Sequence, residues 1–290
     1  MHRFLAALCL LGSLSVHAQS PVWALRGAHN TVYLAESVHL LKADEATLPA
    51  QFDRAYAAAK TIVMEIDLSS LDQEAVQDFM LQHGVLKGTT LRQLLGERGY
   101  TRLTAEAERL GVPMEGLDPL APWAIALSLT DLEYLQLGYD PDQGVEMQIE
   151  RRAQKDGKPI RGLETLEEQL GQLEGLTNAQ QARFLELTLE DMHDAAHDTD
   201  ELLRAWRSGD TQHLADLMSR EYREFPELYR ALVTQRNARW LPQIQSFLKD
   251  DHDYMVVVGA LHLVGRDGLL DLARRAGIDA VPVPAVAAHP

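Results

Sequence analysis

The chain is nearly without cysteine and short of basic residues. Its one cysteine among 290 residues is Cys9. Cys9 lies in an opening segment that reads as a secretory signal. His2 and Arg3 form a short basic start, residues 4–14 an apolar core, and Val16-His17-Ala18 a small-residue cleavage site. That core is too short to span a bilayer. Cleavage near Ala18 is expected to leave a periplasmic or secreted protein with no cysteine, one that folds without disulfides. Thiolate nucleophiles and thiolate metal sites are thereby excluded, so a bound cation must rest on His, Asp, Glu or backbone oxygen. The 27 Lys and Arg residues face 43 Asp and Glu, a formal charge of −16, and loss of Arg3 makes the balance one unit more negative. Such acidity argues against nucleic acid or anionic lipid as a partner. No membrane span is expected in the mature chain. Residues 119–137 are strongly apolar, but Asp118, Asp131 and Glu133 lie too close to their apolar part, so a buried or groove-lining helix is expected. There is no phosphate-binding loop and no dinucleotide fingerprint.

What the sequence does contain is concentrated at its two ends. Tyr254-Met255-Val256-Val257-Val258 is an apolar, largely β-branched run suited to a strand buried on both faces. Gly259 stops it, His262 follows, and residues 269–277 show helical spacing closed by Gly277. Near the start, Val32-Tyr33-Leu34-Ala35-Glu36-Ser37-Val38-His39 is a second apolar strand ending in histidine. It pairs with residues 23–26 across Gly27-Ala28-His29-Asn30, a hairpin turn. Between the ends come a helix over 48–59, a strand over 61–67 carrying Glu65 and Asp67, and helices over 71–82 and 91–110, the latter broken around Gly96 to Gly99. Then follow a helix over 145–155, a short strand over 158–164 ending on Glu164, an acidic helical stretch over 178–220 and a helix over 235–248. The expected fold class is α/β (mixed α+β). Its central mixed sheet is built from the N- and C-terminal strand–helix units, with a helix-rich middle insertion. Residues 19–290 are expected to form one domain, with 119–250 largely helical.

His39 and His262 gain chemical meaning together. Two imidazoles at strand ends, with a carboxylate from a neighbouring strand, can hold a divalent cation (Mn, Co or Zn) that keeps a position open for water. Glu65 and Glu36 are the nearest carboxylates, and a spare glutamate could move the proton. Taken separately, each histidine has an ordinary reading, capping a helix or satisfying loop backbone. His193 and His197 stand four apart, which puts both on one face of a helix, and Asp194 stands where a zincin carries glutamate. The acids around them read as a solvated face. Ser37 lacks the glycine-flanked elbow of an activated serine. Arg236 offers a planar fork of donors for a carbonyl or carboxylate, and Asn237 beside it has an alternative capping role. Glu146 and Glu164 are further site acids, or ordinary surface glutamates.

At this point the residues resemble a known family. Trp23, the segment from Val32 to His39, Val63-Met64-Glu65-Ile66-Asp67, Gly144-Val145-Glu146, Gly162-Leu163-Glu164-Thr165, Gln169, Arg236-Asn237 and Gly259-Ala260-Leu261-His262 are similar in order and spacing to TraB/GumN proteins. The likeness covers residues from about 23 to about 283. That family is similar to Tiki-type metal-dependent proteases, whose signature is a pair of Gly-x-x-His motifs, and distantly to erythromycin-esterase-like and haem-binding ChaN-like proteins. The resemblance implies a divalent-metal-dependent hydrolase acting on peptide bonds, peptidase-like, with His39 and His262 as the motif histidines and Glu65 as the acid of the second family strand; with the leader read above, the expectation is an exported enzyme. Glu65, Glu36, Arg236, Asn237 and Glu164 are the expected catalytic groups, and His39, His262 and Glu65 the metal ligands. The first motif departs from the pattern: Glu36 stands where the family has glycine, adding bulk and charge at the expected mouth of the site. Two alternatives follow. One is a non-catalytic periplasmic protein that binds a peptide or small molecule. The other is a metal-free esterase-type enzyme using histidine as base, as in the erythromycin-esterase-like relatives.

Overall fold

A computed structural model describes residues 20–285. The expected leader and its expected cleavage site lie outside the described residues. Six strands make one mixed sheet: β1 (Val22–Arg26), β2 (Thr31–Ser37), β3 (Thr61–Met64), β4 (Ile160–Gly162), β5 (Tyr254–Gly259) and β6 (Ala280–Pro282). Their order across the sheet is β4-β3-β5-β2-β1-β6. β5 runs parallel to both β2 and β3, and β3 parallel to β4, whereas β1 is antiparallel to β2 and β6 to β1. The expected mixed sheet is therefore present, and its two halves meet at the β2–β5 pair.

β5 lies in the interior of the sheet because every residue of Tyr254–Gly259 is buried. An apolar, β-branched run with no polar face can be satisfied only between two covering layers. Burying each such Val is worth roughly 1.5–3 kcal/mol. Phe52 and Tyr56 from helix Ala50–Ala58, Trp206 from Ala195–Ser208, and Trp240 and Ile244 from Gln235–Phe247 join the strand residues in the main core. A second core forms among helices Leu91–Leu110, Pro122–Gln136 and Asn178–Asp191, away from the sheet. The apolar segment 119–137 thus holds a helix, Pro122–Gln136, buried over its first half with Trp123 and Ile125 fully covered, while Leu135 near its end is exposed. Among the described residues no helix is long and apolar enough to cross a membrane.

Several boundaries differ from expectation. β3 ends at Met64, so Glu65 lies in the bend beyond the strand, and Asp67 caps the following turn by accepting from Ser69 N. The helical stretch over 178–220 is cut twice, at Gly209-Asp210 and by a turn at 192–194. His193 sits in that turn, so it and His197 do not share one continuous helical face. β6 was not expected. It is three residues long and ends in proline, which the outer edge of a sheet tolerates.

Candidate active site

The site gathers where β2, β3 and β5 end. Because the three strands are parallel and in register, Ser37 opposite Gly259, the chain after each one leaves at the same rim. Open α/β sheets present their functional groups at this position. Gly259 leads directly into a one-turn helix, Ala260–Leu263, which turns His262 inward to 4% exposure.

His262 is fixed on both ring nitrogens. Nδ1 lies 2.7 Å from Asn237 Oδ1, and Nε2 lies 3.0 Å from Arg236 Nη1. The Asn237 amide nitrogen donates to the carbonyls of His262 and Asp267, so its oxygen faces the ring. Nδ1 therefore donates and Nε2 accepts: the ring is the neutral Nδ1–H tautomer. Burial pushes the pKa of His262 down to about 3. Trp240 packs against the ring with centroids 4.5 Å apart and also lies under the Arg236 guanidinium at 4.7 Å.

Arg236 follows a π-helical turn, Arg230–Thr234, at the start of Gln235–Phe247. Such wide turns recur at functional positions. Its Nη2 binds Glu65 Oε2 at 2.5 Å and Glu164 Oε1 at 2.6 Å, and its Nε donates to Glu164 Oε1 at 2.8 Å. Nη1 also donates to Leu232 O. Glu65 accepts from Gly259 N at 2.7 Å and from Gln169 Nε2 at 3.1 Å. Burial alone would raise the Glu65 carboxyl. The Arg236 guanidinium, protonated His39 and the Gly259 amide overcome that and hold it well below its ordinary value.

His39 stands at the opening. Its side chain is 70% exposed, and Nδ1 lies 2.8 Å from Oε1 of Glu146, which is 12% exposed. Ser37 Oγ donates to the same carboxylate oxygen, so Glu146 is shared and Ser37 is not aligned behind a histidine. The Glu146 carboxylate raises the His39 pKa toward 9. Water reaching the exposed ring screens part of this attraction.

Gly259 shows how the parts converge. A Cβ built on it would lie 3.3 Å from Glu65 Oε1, 3.7 Å from His262 Cδ2 and 3.8 Å from His39 Nε2. The two imidazoles therefore face one small space and fall within the roughly 10 Å that separates a shared site from two unrelated histidines. Of the expected residues, His39, His262, Glu65, Glu164, Arg236 and Asn237 are brought together. Glu36 does not join them. It is fully buried rather than at the mouth, both carboxylate oxygens lack a hydrogen-bond partner among the described residues, and no charged neighbour perturbs it. Glu146, first read as a site acid or a surface glutamate, proves to hold His39. Trp240 was missed, although its place four residues after Arg236 puts it on the same helical face.

The donors as arranged do not fit a divalent cation. The His262 Nε2 lone pair faces Arg236, and Glu65 is engaged through both oxygens. Among the described residues the one His/Asp/Glu trio with donor atoms within 4.8 Å of one another is His197, Asp198 and Glu201, with both His197 and Asp198 exposed.

The fold and the site together define an α/β protein with an acid–base cluster at the carboxyl ends of parallel strands. The TraB/PrgY/gumN family model matches residues 21–282, and the chain belongs to that family. It is 25% identical over 267 residues to protein YbaP of Escherichia coli (strain K12), covering 87% of this chain and 97% of that one. Its likeness to YbaP of Shigella flexneri has the same identity and coverage. Both relatives are described as uncharacterized. No solved structure matches the chain.

Proposed function

We propose that this chain is an exported hydrolase, peptidase-like, in which His39 moves the proton. One observation carries the reading: an exposed imidazole held through Nδ1 by the largely buried Glu146, with Nε2 facing the space over Gly259. A carboxylate behind a histidine fixes its ring and tautomer and raises its basicity, the arrangement that general acid–base catalysis needs. His39 takes a proton from attacking water and returns it to the leaving group. Glu65, Arg236, Glu164 and His262 form the rigid, desolvated wall against which a peptide carbonyl rests. Peptide bonds are the substrate class that the likeness to Tiki-type proteases implies, through the one intact Gly-x-x-His motif, Gly259 to His262, and a leader read over residues 1–18 is the support for export to the periplasm. A His39→Ala variant should lose roughly 10²- to 10⁴-fold in hydrolysis of a peptide library. N-terminal sequencing of protein from a periplasmic fraction should begin at Gln19.

A second reading places a divalent cation (Mn, Co or Zn) among His39, His262 and Glu65. The convergence of all three on Gly259 supports it. It requires Arg236 to leave Nε2 of His262, which would then be free to ligate.

A further inference from the structure

We propose that Arg236 is the resident cation of this site. Its guanidinium occupies the position among Glu65, Glu164 and His262 that a divalent ion would otherwise take. The inference stands on the geometry of the cluster and holds whether or not His39 proves to be the proton carrier.

Three observations carry it. The guanidinium is engaged on all three nitrogens: of its five N–H donors, Nε bonds Glu164, Nη1 bonds Leu232 O and His262 Nε2, and Nη2 bonds Glu65 while also pairing with the Glu164 carboxylate. The cluster is also charge-balanced. Glu65 and Glu164 are countered by Arg236 and by Arg239, whose Nη2 lies 3.3 Å from Glu164 Oε2. The hydrogen bonds to Asn237 and Arg236 keep His262 neutral. A divalent ion added to a balanced, buried group would carry two uncompensated charges into a low-dielectric site, at a large desolvation cost. Finally, the groups around the guanidinium are two carboxylates and one imidazole lone pair. Oxygen and nitrogen donors of this kind suit manganese or zinc once the arginine is gone.

Arg236 therefore sets the cation preference of the site: it excludes metal while present, and its removal creates a metal site from residues already in position. Glu65, Glu164 and His262 would be the ligands, and Gln169, Asn237 and Gly259 N would hold them.

The test is calorimetric titration of chelator-treated protein with manganese and with zinc. It compares wild type, His262→Ala, Arg236→Met and the Arg236→Met/His262→Ala double variant. Methionine keeps the length of the side chain and removes charge and donors. The surface trio of exposed His197 and Asp198 with half-buried Glu201 supplies the same background in all four proteins. Wild type and His262→Ala should bind alike, Arg236→Met should bind at least about tenfold more tightly, and the double variant should lose that gain. Wild-type binding that disappears in His262→Ala would overturn the proposal. So would a folded Arg236→Met that gains nothing. If Arg236→Met does not fold alone, zinc or manganese should restore a cooperative melt, and failure to restore one overturns the proposal equally. Turnover enters none of these readouts, so an inactive wild type would count against the hydrolase reading alone.

Discussion

Glu36 shows what one residue can do when its carboxyl has no partner. It is 0% exposed, on a strand pinned from outside by the Trp206 indole donating to its carbonyl at 3.0 Å. Burial raises its pKa from 4.5 to about 8. An acid raised in the folded state contributes stability that is fully present below its ordinary value and lost as pH rises through the raised one. Stability should therefore fall between about pH 5 and pH 8, by up to about 1.4 kcal/mol per pH unit. A Glu36→Gln variant should remove that slope, as measured by urea unfolding across the window. Equal slopes in both proteins would mean that water or a partner satisfies the carboxyl. His39 has the opposite role for a raised pKa. As a base it must be neutral, so hydrolysis should rise with pH toward about 9. Glu146→Gln should shift that rise to lower pH, because it removes the charge that holds the proton. A profile unmoved by Glu146→Gln would show that the pair does not set the titration.

At the scale of elements, two glycines place the site, for different reasons. Gly259 has ordinary backbone angles, φ −50 and ψ 140, so alanine meets no backbone strain there. Its methyl would instead press on Glu65 Oε1 at 3.3 Å and occupy the space between the imidazoles. Gly259→Ala should keep its melting temperature within a few degrees and lose activity. Gly144 is the reverse. A Cβ there would lie 2.2 Å from the His39 carbonyl oxygen, where the next residue, Val145, donates its N–H to Val38 O. Gly144→Ala should push the two segments apart, costing about 1–3 kcal/mol and unseating Glu146 from His39, a loss visible in both melting and turnover. Elements with a strong periodic signal were legible in the sequence. The β-branched run of β5 reads as a buried strand, and Gly96, with φ 66, breaks its helix as expected. β6 was not legible, because three residues ending in proline carry no alternation. The turn at 192–194 was not either, since its acids and histidines are as compatible with a helix as with a break. In the site, the strand-end histidines, Glu65, Glu164, Arg236 and Asn237 could be read from local motifs. The bond between His39 and Glu146 could not, because it joins segments 107 apart in sequence whose approach depends on the fold.

Across the whole molecule, the sheet order separates stability from chemistry. The site lies over the central strands β3, β5 and β2, whereas β6 covers the far edge by pairing with β1. That edge is closed by Val283 N donating to Val22 O and by Ser20 Oγ donating to Val283 O, both at 2.8 Å. Ending the chain after Asp279 should lower the melting temperature by roughly 2–4 °C for each kcal/mol lost and expose β1 as an unprotected edge prone to association. Activity measured below the melting transition should persist. An equal loss of turnover and stability would instead tie the edge to the site. The most direct test of the account is hydrolysis of a peptide library by the mature chain, wild type beside His39→Ala, each with and without chelator. Turnover by wild type that survives chelation and is lost in His39→Ala is the expected result. No turnover by wild type, or equal turnover by the variant, would contradict the assignment of His39 as the proton carrier.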